Sequence, residues 1–489
     1  MGRGRKQVVE GNIDKRESGY YSTPRFVADY VSKRMLEINP SGKKALDPCC
    51  GKEELLNIFL KENMLIDGFD INTYSHNYKC NFKQKDFLRF YGDRKNKKLN
   101  NMQLKYDYFI ANPPYNCHEV ELIKDNKKEL KKIFSDVGIY NTYSMFISAI
   151  IDLAKPNAII GLITHDSFFT AKYHESLRRK IVKECAIHEI TMCPTDLFKE
   201  QGADVRTSII ILQKGIKNQK YIRVNNRVTS TKEFRELIEG GSASENITSL
   251  KNILLDTPYD NLEFIIDCNE EIKKIFKMER ISNEFRCVTG ISTGNDKKYL
   301  STEKIEPYII PYYKNPGNNR FYTNNYIYIH ENFLEIQKDI KNFMVRNKEL
   351  LFLPGITCSS VGVNFTAAKL PKGSAFGVNP NIICKEEDSW WLMAYLNSSL
   401  VTYLVRGILL RSNMITSGYV SRIPLINFTK LEKEELSKLS KEAYTQAKEG
   451  EDISNSLINI NSIVYKACKL SEETIRKVSE FEKKIVKKV

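Results

Sequence analysis

Between Lys43 and Leu212, short apolar segments alternate with amphipathic ones, and this alternation restricts the fold more than any other feature of the chain. Ala45-Leu46-Asp47 ends a first strand, Glu53–Asn63 reads as a helix, and Leu65–Phe69 is a second strand closed by Asp70. A short segment at Phe82–Phe90 carries Asp86, and Tyr106–Ala111 is a further strand. Tyr143–Ala154 reads as a long helix, followed by strands at Ala158–Thr164, Ile187–Met192 and Thr207–Leu212. Such an order predicts an α/β fold, a doubly wound, Rossmann-like sheet with helices on both faces. Ala158-Ile159-Ile160-Gly161-Leu162-Ile163 is apolar at successive positions, as buried parallel strands are.

The character changes near residue 245. Glu239-Gly240-Gly241-Ser242-Ala243-Ser244-Glu245 reads as a linker, so the expected domains are 1–245 and 246–489. Residues 280–430 carry aromatics, asparagines, glycines and prolines in short runs, which predicts an irregular β-rich module within an α+β C-terminal domain. From Lys430 the chain reads as helical, with Leu457, Ile460, Val464 and Ala467 forming a buried stripe. The net charge of +15 favours a polyanionic partner, nucleic acid first. Eleven cysteines without a C-x-x-C pair point to reduced thiols rather than a disulfide framework. They share no metal-ligand spacing with the six histidines, so no metal is expected. The first residues lack the apolar stretch of a signal peptide. The best candidate for a membrane span, Ile147–Thr164, is interrupted by Asp152 and Lys155-Pro156-Asn157. A cytoplasmic protein without membrane contact is expected.

Ligands of open α/β sheets bind beyond the carboxyl ends of the strands. Four polar signals stand there: Asp47-Pro48-Cys49-Cys50-Gly51, Asp70, Asp86-Phe87 and Asn112-Pro113-Pro114-Tyr115. An acid after a second strand suits ribose hydroxyls, and an acid beside an aromatic suits an adenine edge. In the last signal two prolines remove two backbone donors and fix φ, which makes a stiff turn. That turn offers one amide, bare carbonyl oxygens and one ring, a set suited to a flat group with an amino nitrogen.

With these motifs in this order, the chain resembles the S-adenosylmethionine-dependent DNA adenine-N6 methyltransferases of the restriction-modification type. The arrangement is the gamma order, cofactor motifs first and a target-recognition domain last. Gly19-Tyr20-Tyr21-Ser22-Thr23-Pro24 is similar to the family's N-terminal motif, which implies that Tyr21, Thr23 and Pro24 lie by the cofactor. Asp47, Pro48 and Gly51 resemble the glycine loop, Asp70 with Ile71 the ribose site, and Asp86-Phe87 the adenine site. Asn112, Pro113 and Tyr115 resemble the catalytic tetrapeptide, Asn112 also bordering the cofactor. Phe198, ahead of Val205-Arg206-Thr207, resembles the aromatic that packs on an extruded base. One departure stands out: Lys52-Glu53 replaces the end of the glycine loop, with Glu53 where a second glycine is usual.

The resemblance implies methyl transfer from S-adenosylmethionine to N6 of an adenine flipped out of duplex DNA. The expected partner is double-stranded DNA, and a cognate restriction endonuclease is left open, as is a monomer or weak dimer. Two alternatives remain: an inactive DNA-binding specificity protein, suggested by Glu53, and a methyltransferase acting on RNA or protein glutamine. Gly290–Asp296, Gly355–Ser360 and Arg411–Met414 are polar segments of the kind that read bases and phosphates, though glycine turns account for each equally well. Cys49, Cys50, His165, His174 and His188 are expected to be structural.

Overall fold

The computed structural model describes residues 8–9, 13–14, 20–75, 77–97, 102–115, 121–202, 205–215, 221–244, 246–266, 268–361, 364–409 and 414–486. Gly19, Glu245 and Arg411-Ser412-Asn413, singled out above, lie outside them. The chain divides into two compact units: Met1–Asp256 with Asn261–Ile266, and Thr257–Asp260 with Asp267–Val489.

The first unit is built on a nine-stranded sheet: β1 (Lys44–Asp47), β2 (Leu65–Asp70), β3 (Asn81–Gln84), β4 (Tyr108–Ala111), β5 (Ile159–His165), β6 (Cys185–Met192), β7 (Thr207–Lys214), β8 (Ile222–Asn225) and β9 (Ile247–Thr248). Its order is β9-β8-β6-β7-β5-β4-β1-β2-β3. β3, β2, β1, β4 and β5 run parallel, and β7 enters antiparallel between β5 and β6.

Both faces of the sheet are covered. Along β5, Ile159 and Ile163 join one apolar cluster while Ile160 and Leu162 join the other, and β7 divides its isoleucines in the same way. A strand buried on both faces is apolar at every position. This corrects the inference from apolarity to parallel pairing: β5 is parallel to β4 but antiparallel to β7. Burial dictates the composition, and strand direction is set by the connections.

Helix α1 (Arg25–Ile38) packs on β5 at Gly161, where an added Cβ would collide with the Met35 sulfur. Helices α2 (Phe87–Asn96) and α3 (Thr142–Leu153) cover the other face. The expected linker lies within this unit. Its glycines follow α4 (Thr231–Glu239), and the chain then returns to the sheet as β9, paired with β8.

The second unit holds two four-stranded sheets, neither of them doubly wound. One orders Arg286–Val288, Asn381–Ile383, Gly355–Cys358 and Ala367–Leu370, all antiparallel. The other orders Leu300–Ser301, Tyr326–His330, Tyr308–Tyr313 and Ala375–Phe376. Gly355–Cys358 is thus a buried strand, not a surface turn. Asn397, after the helix Glu386–Leu396, is wholly buried and bonds both polar groups of the Ala367 backbone, at 3.0 and 2.8 Å. The helical end comprises Lys430–Glu449, Ser454–Ala467 and Glu472–Val486. The first opens on a Thr429–Glu432 capping box and stops at Gly450, φ 77°. In the second, Ile460 and Val464 are buried, while Leu457 and Ala467 are half-buried.

Among the described residues no single helix is long and apolar enough to cross a membrane. One bent pair, Glu386–Leu396 with Ser399–Leu409, has the length and composition.

Candidate active site

The carboxyl ends of β1, β2 and β4 open on one cleft of about 830 Å³, solvent space included. Of the residues singled out in the sequence, Tyr21, Thr23, Asp47, Pro48, Asp70, Ile71, Asp86, Phe87 and Asn112 line it. Pro24, Gly51, Pro113, Tyr115 and Phe198 do not, although Pro114 does.

Each acid is fixed by backbone donors. Asp47 accepts the Cys49 N–H at 3.0 Å, and Asp70 those of Gly51 and Asn72, both at 3.0 Å. Asp86 caps α2 through one oxygen, which takes the Leu88 and Arg89 N–H groups at 2.9 and 3.1 Å. Its role as a helix cap and its place on the cleft are therefore compatible. Phe87 behind it is buried against Phe146, ring centroids 5.2 Å apart.

Gly51 has φ +52°, and an added Cβ would meet the Tyr20 ring at 2.5 Å. Glu53 adopts φ 66° as well, a left-handed conformation that disfavours any residue with a Cβ. Its carboxylate turns away from the cleft and accepts the N–H groups of Lys79 and Cys80, at 3.0 and 2.7 Å. The departure from the glycine pattern is thus accommodated within the loop.

The cleft is acidic. Burial, together with the neighbouring Asp70 and Glu54 charges, raises the Asp47 carboxyl well above its usual range. Burial likewise raises Asp70. Glu54, which sequence reasoning passed over, lines the same wall and accepts the Ser22 hydroxyl at 2.8 Å and that of Tyr20. Carboxylates gathered around one cavity repel each other, and a ligand carrying positive charge relieves that repulsion. The set of carboxylates therefore suits a sulfonium and an ammonium group, with Asp70 available to accept from hydroxyls and Asp86 from an amino group.

Asn112 stands at the edge of the cleft. Its amide nitrogen donates to the Thr23 hydroxyl at 3.0 Å and the Tyr21 carbonyl at 3.4 Å, and its oxygen accepts the Tyr115 hydroxyl. The Tyr115 ring lies nearly parallel to Tyr21, centroids 6.3 Å apart. Phe198 is 6.4 Å from Tyr21 and only 1% exposed, its ring enclosed in the apolar cluster beneath. The depth of the Phe198 ring was not legible in the sequence. Tyr20, quoted in the N-terminal motif but given no role there, also lines the cleft, as do Leu55, Tyr74, Lys85, Leu88, Thr142 and Phe146, which the sequence left unnoticed. Cys49 is held protonated by burial and by Asp47 and Asp70, so it is no nucleophile.

Residues 11–239 match the family N-6 DNA Methylase. This segment is similar to the N-6 DNA methylases. The chain is 29% identical over 275 residues to the Type II methyltransferase M.BanIII of Aneurinibacillus aneurinilyticus, a match covering 50% of this chain and 46% of that protein. The chain thus spans about half the length of this relative. Among solved structures, its fold is similar to a nuclease-deletion mutant of the Type ISP restriction-modification enzyme LlaGI in complex with a DNA substrate mimic. The TM-score is 0.56 and the identity 12%, over 88% of this chain and 55% of that one. The DrdV–DNA complex gives 0.54 at 11% identity, over 88% and 58%. The cofactor of an N-6 DNA methylase domain is S-adenosylmethionine, and the acidic cleft fits its two positive charges.

A pH dependence follows from the raised carboxyls. In the cofactor-free protein, raised values mean that the fold holds these protons more tightly than the unfolded chain does. Asp47 and Asp70 therefore subtract stability as pH climbs above the ordinary carboxylate value of 3.8 and through their raised values. A cationic ligand favours the ionised carboxylates. The rise in melting temperature on adding S-adenosylmethionine is expected to grow through that window, and to grow less with the uncharged sulfide product. Thermal melts between about pH 4 and pH 8 measure it; an equal, flat response to both ligands would contradict it.

Proposed function

We propose that this chain is a site-specific DNA methyltransferase that transfers the methyl group of S-adenosylmethionine to N6 of an adenine flipped out of duplex DNA. The observation that carries this reading is Asn112. Its amide is oriented by Thr23 at the rim of the acidic cleft, in the turn that follows β4.

An exocyclic amino nitrogen is a poor nucleophile because its lone pair is delocalised into the ring. Accepting its two hydrogens at the Asn112 side-chain oxygen and the Pro113 carbonyl concentrates the lone pair on nitrogen. Thr23 holds the amide so that its oxygen, not its nitrogen, faces the base. Tyr115 offers a ring for stacking, and its hydroxyl gives up the Asn112 oxygen when the amino group arrives. Asp70 and Asp86 hold the cofactor, with Tyr21, Asp47, Pro48, Gly51, Ile71 and Phe87 shaping its walls. S-adenosylmethionine, when bound, supplies an activated methyl group. Positioning and preorganised polarity provide the rate. Base extrusion costs roughly a few kcal/mol and calls for binding energy from elsewhere on the DNA. The second unit, reading as a target-recognition domain, and the +15 charge supply a source for it.

If the Tyr115 hydroxyl only occupies the acceptor, Tyr115→Phe keeps activity within a few fold, whereas Tyr115→Ala loses stacking worth about 1–3 kcal/mol, or roughly ten- to a hundred-fold. Single-turnover rates for the two variants test this, and equal losses would refute it. The reading as a whole is tested by incubating labelled S-adenosylmethionine with mixed-sequence duplex DNA, RNA and protein, followed by nucleoside and amino-acid analysis. N6-methyladenine in DNA supports it. Label in RNA or glutamine, or DNA binding without transfer, overturns it. The inactive-protein alternative rested on Glu53, whose side chain points out of the cleft toward Lys79 and Cys80.

A further inference from the structure

His165 ends β5, beside the strand that leads into the Asn112 turn. The register pairs Ala111 with Leu162 as the last pair before the Asn112 turn, and His165 follows three residues after Leu162 on β5. Its ring meets the Tyr115 ring edge-on, centroids 6.3 Å apart. On its other side lies Tyr143, nearly parallel at 6.1 Å. Tyr143 is itself fixed, its hydroxyl bonded to Ser167 at 2.7 Å and His174 at 2.8 Å.

One nitrogen of His165 is committed. Nδ1 accepts the Ser167 N–H at 3.0 Å and so caps the turn Asp166–Phe169. A neutral imidazole that accepts at Nδ1 carries its hydrogen on Nε2. Burial and the charges of Arg206 and Arg227 lower the histidine's proton affinity, against the opposing pull of Asp166, and keep the ring neutral. Among the described residues Nε2 has no hydrogen-bond partner, and the side chain is 21% exposed. The cap explains one nitrogen of the ring and leaves an N–H donor on the other, in a ring that packs edge-on against Tyr115.

We infer that His165 is a specificity-determining residue of the base pocket, its Nε2–H donating to an acceptor ring nitrogen of the target base next to the amino group. The assignment rests on the reading of the Asn112 turn as the target-base site. Adenine presents such acceptors at N1 and N7, flanking N6. Thymine and guanine carry an N–H at the corresponding pairing-edge position, which would set donor against donor.

The test uses a duplex bearing the site read from the methylated product, with the target adenine replaced by 1-deazaadenine or 7-deazaadenine, each of which lacks one acceptor. The wild-type single-turnover rate is expected to fall about tenfold with one of them, the worth of a lost neutral hydrogen bond at the upper end of its range. 1-Deazaadenine also weakens pairing and eases extrusion, so a fall with it is the more telling. His165→Asn retains a capping oxygen but not the Nε2–H. It is expected to melt with the wild type, to be slower on natural DNA by a similar factor, and to respond equally to natural and deaza substrates. Wild-type indifference to both analogues, or a His165→Asn variant as sensitive as wild type, overturns the inference. If His165→Asn melts lower, His165→Gln replaces it in the same comparison. Absence of N6-methyladenine from natural DNA treated with wild type is a different result. It overturns the reading of the Asn112 turn, and this inference with it.

Discussion

Asn112→Ala is expected to lower methyl transfer by about a hundred- to a thousand-fold, the usual cost of deleting one preorganised polar group at a reacting centre. The variant removes the acceptor for the amino hydrogens and leaves the Thr23 hydroxyl without the amide it now receives. It touches none of the backbone bonds that fix Asp47, Asp70 and Asp86, so calorimetry is expected to find S-adenosylmethionine still bound. A combined loss of transfer and of cofactor binding would instead make Asn112 a structural element of the cleft. Asn112→Asp offers a sharper comparison. It keeps an acceptor oxygen but gives up the N–H donated to Thr23, and it adds charge to an already acidic cleft. An intermediate rate is expected, measured by the same single-turnover assay.

Arg280→Ala is expected to destabilise the second unit by about 3–5 kcal/mol, because it strands a buried charge. The Arg280 and Asp260 side chains are 1% and 2% exposed, with the guanidinium 2.7 Å from the carboxylate. The same guanidinium group donates to the Phe276 carbonyl at 2.5 Å. Through this pair the short segment Thr257–Asp260 is fastened to the second unit, while the flanking residues on either side belong to the first. Denaturant titration followed by tryptophan fluorescence measures the loss, since Trp390 and Trp391 both lie in that unit. A change below about 1 kcal/mol would mean that Asp260 finds water or another donor once the arginine is gone.

What could be read from the sequence was mostly what lies at the end of a strand. Asp47, Asp70 and Asn112 each close or follow an apolar run, Asp86 follows the short polar edge strand β3, and a parallel sheet gathers such positions at one edge whatever the intervening helices do. Phe146 and Thr142 were out of reach for the opposite reason. They sit on a helix that reads as buried along its whole length, and only packing decides which turn faces the cleft. His165 stood at a strand end too, but a lone histidine with no spacing partner is rightly read as structural until its two nitrogens can be considered separately. The antiparallel entry of β7 had no local signal, because a strand buried on both faces looks the same in either direction. Glu53 raised a specific doubt about the loop, and the answer lay in a backbone conformation that composition does not encode.

That residue has a mechanical consequence. Where two glycines would leave a hinge, Glu53 ties the loop after β1 to the chain entering β3 through its bonds to Lys79 and Cys80. The wall beside the cleft is therefore braced before any ligand arrives. A braced wall has little conformational entropy left to lose on binding, so the left-handed strain of one side chain exchanges flexibility in the empty protein for readiness in the site.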